Sequence, residues 1–196
     1  APASGSGKTL ITCGILQALV NRGKKVASFK CGPDYIDPMF HGRVIGTKSR
    51  NLDTFFTDSN TTRYLFAENT AECDLAVVEG VMGYFDGLGG VSTDGSTYDV
   101  ARTLSMPSVL IVNSRGASLS VLATIKGFLS FREDSQIRAV ILNQAETFPP
   151  DSLEEKRRER RYDEEDDIDQ RIYLWRRGET CIHRGCTGPD VTYQYS

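Results

Sequence analysis

No apolar run in this chain of 196 residues approaches the roughly 20 residues needed to cross a bilayer. No charged segment followed by a short apolar core marks a secretory leader. Neither a membrane nor a secretory route is therefore expected. The five cysteines lack disulfide-like spacing, which points to a reducing cytoplasm. A basic stripe is also missing. Residues 1–150 hold 14 Lys+Arg against 14 Asp+Glu, and residues 151–196 hold 9 against 12, which accounts for the net charge of −3. Such a balance argues against nucleic acid as the main partner. The length fits one α/β domain, with or without an appendage.

What is present begins at once. Ser4-Gly5-Ser6-Gly7-Lys8-Thr9 has the spacing of a Walker A loop, with Gly7, Lys8 and Thr9 closing the G-x-x-x-x-G-K-[ST] frame. Glycines let successive backbone N–H groups turn onto phosphate oxygens. Lys8 supplies a point charge for the β- and γ-phosphates, and the Thr9 hydroxyl is placed to ligate Mg²⁺. The next helix points its positive end at the same anion. Pro2 occupies the place of the frame's first glycine and cannot take a positive φ, so the turn must be entered from an extended conformation.

Strands and helices then alternate. A helix follows Thr9 with Gly23 as its C-terminal cap, and Val26–Lys30 reads as a short buried strand. Ser59–Ala71 reads as a helix capped by Ser59 or Asn60. Leu75–Val78 reads as a strand covered on both faces and ending at Glu79. Ser96-x-x-Asp99 resembles a capping box opening a helix through Leu104. Val109–Val112 and Ala139–Leu142 are further buried strands, with a helix over Leu119–Phe131 between them. The pattern predicts an α/β fold of the P-loop NTPase kind, a mostly parallel sheet with helices on both faces. A P-loop normally follows a strand, so the strand that should lead into it is expected ahead of Ala1. Without it, two neighbouring strands would have unpaired backbone.

From Asp151 to Arg171, 16 of 21 residues are charged. Ordering such a stretch costs on the order of 30 kcal/mol, which three apolar side chains cannot return. A poorly ordered or solvated charged tail is expected there, dividing the chain into 1–147, an ATP-binding domain incomplete at its N-terminus, and 148–196, the tail.

Four segments should converge where such sheets bind ligands, at the carboxyl ends of the strands. Besides the loop, these are Lys30 to Pro38, Glu79 to Gly87, and Asn51-Leu52-Asp53. Glu79, ending a buried strand beside the Thr9 hydroxyl, is the foremost group to meet the metal, directly or through a bound water, and Lys30 is placed to stabilise charge on a transferring phosphoryl group. Asp34 and Asp37 also suit turns beside proline, Asp86 an Asp-Gly turn, and Asp53 a helix cap as readily as a metal. His41 lines the substrate side or is ordinary surface. Cys181, His183 and Cys186 offer potential zinc ligands in an irregular context.

The strings C-G-P-D-Y-I-D-P (31–38) and V-E-G-V-M-G-x-F-D-G (78–87), with the Walker A loop, resemble the ATP-binding domain of the cobyrinic acid a,c-diamide synthase family, itself similar in plan to dethiobiotin synthetase. The resemblance covers about residues 1–145. It implies ATP-dependent amidation of two side-chain carboxylates of a corrinoid, through an acyl phosphate, in cobalamin biosynthesis. Carried over by position, it implies that Lys8 and Thr9, in the loop Ser4, Gly5, Ser6, Gly7, Lys8 and Thr9, hold ATP and Mg²⁺, that Glu79 and Asp86 support metal binding and phosphoryl transfer, and that Asp34, Tyr35 and Ile36 position the substrate. The catalytic place of Lys30 and the metal alternative for Asp53 rest on their positions in the sequence alone. A methanogen relative using nickel sirohydrochlorin leaves the tetrapyrrole open.

Family members also carry a C-terminal glutaminase domain that releases ammonia, and nothing after residue 146 resembles it. A shifted reading frame or misassigned gene end is one explanation. The alternatives are a partitioning or positioning ATPase switch, dimerising around ATP, or an inactive nucleotide-binding remnant. The switch calls for a second lysine early in the loop, where this chain reads Pro2-Ala3-Ser4. A homodimer is compatible with either activity.

Overall fold

A computed structural model describes residues 1–145 and the backbone of strands Tyr173–Arg176 and Glu179–Ile182. The centre of the first half is β1 (Val26–Cys31), buried along its whole length. It pairs in parallel with β2 (Lys48–Leu52) on one edge and β3 (Leu75–Glu79) on the other. Period-two alternation sends Ala27, Phe29 and Cys31 to one face, where they pack with Leu52 and Val100. The ring of Phe29 meets Phe66 on α3 (Ser59–Thr70) at a centroid distance of 5.2 Å. Val26 faces the other way, into a cluster with Leu16 of α1 (Lys8–Asn21) and Ile45. Helices thus cover both faces of β1, and Lys30 falls on the face of α1.

The second half is built on β4 (Ser108–Asn113) and β5 (Ile137–Asn143), also parallel. Their core gathers Leu110, Val112 and Val140 with Val121 and Ile125 from α5 (Ser120–Ser130). Tyr84 and Tyr98 join it from the loop after β3 and from α4 (Thr97–Leu104). Beyond β5 run two antiparallel strands, β6 (Tyr173–Arg176) and β7 (Glu179–Ile182). The sheets therefore read β2-β1-β3 and β4-β5-β6-β7. Between β3 and β4 lies an apolar slot of about 290 Å³, lined by Ala76, Val78, Val109 and Ile111, with Ala1 and Lys8 at one end. Among the described residues no helix is long and apolar enough to cross a membrane.

The expected elements are found, with several differences. Gly23, at φ 72°, follows the C-cap of α1 as expected. The cap of α3 is Asp58, not Ser59 or Asn60: its carboxylate accepts from the N–H groups of Asn60 and Thr61. Ser96 Oγ accepts from Asp99 N as in a capping box, and Asp99 Oδ2 reaches one residue further back, to Gly95 N. The strand at Leu75–Val78 is not covered on both faces. Leu75 is exposed and the next three residues are half-buried, because the slot opens beside them. β2 carries no apolar alternation and was not expected. The whole charged stretch, residues 151–171, lies outside the described residues, so its expected lack of order stands apart from these observations, as do His183 and Cys186; Cys181 lies in β7.

Candidate functional site

The parallel register sets Lys30 directly beside Glu79 at the carboxyl ends of β1 and β3. Lys30 Nζ donates to Glu79 Oε1 at 2.8 Å and to Asp37 Oδ2 at 2.6 Å, with Asp34 Oδ2 at 3.9 Å. Glu79 is fully buried and Lys30 almost so. Burial alone would drive the ammonium's pKa down, but the hydrogen bonds it donates to Asp37 and Glu79, with their negative charge, outweigh it and hold Lys30 above its ordinary value. For Asp37 burial pulls upward, and the bond and charge of Lys30 prevail, lowering its pKa. Thr9, in the first turn of α1, donates its hydroxyl to Glu79 Oε1 at 2.5 Å and lies 3.4 Å from Asp37 Oδ2. The result is one network in which the buried Lys30 and Glu79 are bonded to the half-buried Asp37 and the exposed Thr9.

The loop Ala3–Lys8 closes over this network. Gly5 and Gly7 take left-handed φ values of 77° and 89°, and Gly7 forms the N-cap of α1 without any side-chain bond to the first-turn N–H groups. Those donors are left without a side-chain partner at the positive end of the helix dipole, which suits an anion. Ser6 Oγ donates to Ala3 O at 2.8 Å, and Asn143 Nδ2, from the end of β5, donates to Ser6 O at 3.0 Å. A Cβ at Gly7 would collide with that same Asn143 amide. Lys8 Nζ lies across the loop, bonded to Met82 O at 2.7 Å and Ala3 O at 3.2 Å. Burial, reinforced by the neighbouring Lys30 charge, lowers its pKa.

The remaining candidates divide. Asp34 caps the turn into the helix over Ile36–Phe40 (α2), its Oδ1 accepting from Ile36 N at 2.9 Å, while Oδ2 looks toward Lys30. Tyr35 and Ile36 stand 78% and 74% exposed on the rim, free to meet a large substrate. Asp86 accepts from Gly83 N at 3.0 Å and fastens the turn after β3; its charge only partly opposes the lowering of the Lys8 pKa, and it forms no ion pair with Lys8. Asp53 is not brought to the Thr9–Glu79 pair. Its carboxylate accepts from Phe55 N at 2.8 Å in a local turn.

Asn143, described above, was not expected at the site. Asp37, expected among the carboxylates of the Lys30–Pro38 segment or as a turn former, joins the network. His41, expected to line the substrate side or to be ordinary surface, is instead fully buried, with Nε2 3.4 Å from Glu79 Oε2. Residues 34, 37 and 41 share a helical spacing of three and four, and that periodicity was the available signal. The prolines flanking Asp34 and Asp37 masked it by suggesting a turn.

Chemically, the network offers hard oxygen donors from Thr9 and Glu79 next to a phosphate-binding loop, and two lysines for developing negative charge. Among the described residues no cluster of three or more His, Cys, Asp or Glu side chains is arranged to hold a metal. A divalent ion here would take most of its shell from phosphate and water, as Mg²⁺ commonly does, and the Thr9–Glu79 donor set fits that chemistry.

Residues 1–169 match the profile of the CobQ/CobB/MinD/ParA nucleotide-binding domain. The chain is 47% identical over 144 residues to cobyrinate a,c-diamide synthase of Gloeobacter violaceus, covering 74% of this chain and 32% of that protein. It is 43% identical over 137 residues to the cobyrinate a,c-diamide synthase of Methanocaldococcus jannaschii, covering 70% and 30%. It is 46% identical over 148 residues to the hydrogenobyrinate a,c-diamide synthase of Mycobacterium bovis, covering 74% and 32%. The chain thus spans about a third of the length of these relatives. With the profile covering most of its length and a Walker A loop folded over a buried carboxylate, the chain belongs to the CobQ/CobB/MinD/ParA nucleotide-binding domain family.

Proposed function

We propose that this chain supplies the ATP-binding, phosphoryl-transfer portion of an a,c-diamide synthase acting on cobyrinate, hydrogenobyrinate or a related tetrapyrrole. One observation carries the reading: Thr9, at the end of the Walker A loop, and the buried Lys30 both donate to the same oxygen of the buried Glu79. A carboxylate is a poor electrophile because its leaving group would be oxide. Transfer of the γ-phosphoryl group to a substrate carboxylate oxygen, with ADP departing, gives an acyl phosphate. Ammonia then attacks the carbonyl carbon, loses a proton, and expels inorganic phosphate, leaving the amide.

In this scheme the loop N–H groups and Lys8 bind the phosphates, and Lys8 must leave Met82 O to do so. Lys30 sits where negative charge spreads over the transferring group. Thr9 and Glu79 would hold Mg²⁺, which when bound neutralises phosphate charge and aligns the γ-phosphoryl group. Asp37 orients Lys30. Tyr35 and Ile36 offer an apolar rim for the macrocycle, with Asp34 ordering that rim from beneath. Ammonia would come from a glutaminase domain or from solution.

Incubation with Mg-ATP, ammonium and cobyrinic or hydrogenobyrinic acid tests the reading. Diamide formed together with ADP supports it. ATP turnover without amidation favours a nucleotide switch, and ATP binding with neither favours a remnant. Lys8→Ala should lower nucleotide affinity at least tenfold; unchanged affinity would place ATP elsewhere.

A further inference from the structure

Glu79 presents its two oxygens to different worlds. Oε1 is saturated by Thr9 and Lys30, whereas Oε2 is buried and has no hydrogen-bond partner. Both ring nitrogens of His41 are likewise buried and unpartnered, and Nε2 lies 3.4 Å from that same Oε2. A buried carboxylate oxygen left bare has given up its water for nothing, so the two orphans have reason to meet. A shift of roughly half an ångström would bring them to the usual 2.7–2.9 Å of a charge-assisted bond.

The backbone holds the imidazole there. Residues His41–Ile45 are wound as a π-helix, a form frequent at functional sites, directly continuing α2. The His41 carbonyl is gripped twice by Thr47, through its N–H and its hydroxyl, each at 3.1 Å. Thr47 is in turn bonded to Ser28 of β1 at 2.8 Å. The ring therefore rides on the strand that also carries Lys30.

We propose that His41 is a positioning residue, donating Nε2–H to Glu79 Oε2 so that Oε1 stays turned toward Thr9 and the metal–phosphate site. This rests on the reading of Glu79 as a group that meets Mg-ATP. A carboxylate held by one oxygen from behind cannot rotate about its Cγ–Cδ bond. Partners of this kind behind a metal-binding group are commonly worth 10–100-fold in metal affinity.

The test compares His41→Phe, which keeps the ring's shape and loses the donor, with His41→Gln, whose amide N–H can take the place of Nε2–H. ATP binding is titrated against Mg²⁺ and repeated in excess chelator. His41→Phe should raise the half-saturating Mg²⁺ concentration by about 10–100-fold and leave metal-free ATP binding unchanged. His41→Gln should recover most of the loss. Equal impairment in both variants, or a Mg²⁺ dependence like that of the parent in His41→Phe, overturns the proposal. Parent protein that ignores Mg-ATP removes the functional reading first, and this inference with it. Should His41→Phe fail to fold, ring ¹⁵N NMR of the parent decides: a neutral imidazole protonated at Nε2 supports the bond, and one protonated at Nδ1 overturns it.

Discussion

Lys30 is the residue on which the site's electrostatics turn. Its side chain is 6% exposed and joins two carboxylates that would otherwise repel each other in a low-dielectric setting. Removing one partner of such a buried pair costs about 3–5 kcal/mol, because the remaining charge is stranded. Lys30→Met should therefore lower unfolding stability by that order at neutral pH, as read from the urea midpoint. The pH dependence gives a sharper check. In the parent, the lowered pKa of Asp37 contributes stability above its unfolded value and loses it as pH falls through the folded value. In Lys30→Met that preference reverses, since protonating a stranded carboxylate relieves repulsion. The stability gap between parent and variant should narrow from pH 7 to pH 4.5, and a constant gap would refute the argument. Cys31, next along the strand, behaves differently. Burial pushes its thiol up to about 12, so native protein at pH 8 should leave it unlabelled by iodoacetamide while urea exposes it; rapid native labelling would contradict this.

At the scale of elements, Tyr84 links the loop after β3 to the second sheet. Its hydroxyl lies 2.5 Å from Ser135 O and 3.0 Å from Ser108 Oγ. Burial, opposed by the Ser108 bond, raises its pKa to about 12. A raised acid contributes stability that is complete below the unfolded pKa of about 10 and disappears as pH climbs through the folded one. Parent stability should decline between pH 10 and 12, and Tyr84→Phe should show a shallower decline. At pH 7 the variant should be about 1–3 kcal/mol less stable, because Ser135 O loses its donor; equal slopes would exclude Tyr84 as the titrating group. This loop, the strand ends and the Walker A turn were all legible in the sequence, because glycine spacing and continuous apolar runs write them plainly. β2 was not, since Lys48-Ser49-Arg50-Asn51-Leu52 is an edge strand held by backbone pairing, with one buried side chain. Nor was the helix over Ile36–Ile45, where Pro38 sits within the first turn, a position that needs no N–H. The site followed the same rule. Lys30 and Glu79 were marked by strand ends, while Asp37 and His41 depended on that unforeseen helix. Asp53 looked equally acidic in sequence and is spent on its own turn.

For the whole molecule, the consequential feature is the slot between β3 and β4. Among the described residues β3 pairs only with β1, and β4 is joined in parallel only to β5, so the two facing edges have no strand between them. Val109, which lines the slot, remains 50% exposed. Ala1 sits at the end of the slot, its carbonyl accepting from Tyr84 N at 2.8 Å. An extended segment running into Ala1 would lie parallel to both edges and satisfy their backbone groups. Fusing five Val- and Ile-rich residues ahead of Ala1 should thus join the halves into one sheet. Each well-buried side chain returns about 1.5–3 kcal/mol against about 1.5 for ordering its residue, so a rise of a few degrees in melting temperature is expected. The same extension with prolines at alternate positions cannot pair and should give no rise. An unchanged melting temperature for the Val- and Ile-rich extension would mean that the slot does not accept a strand.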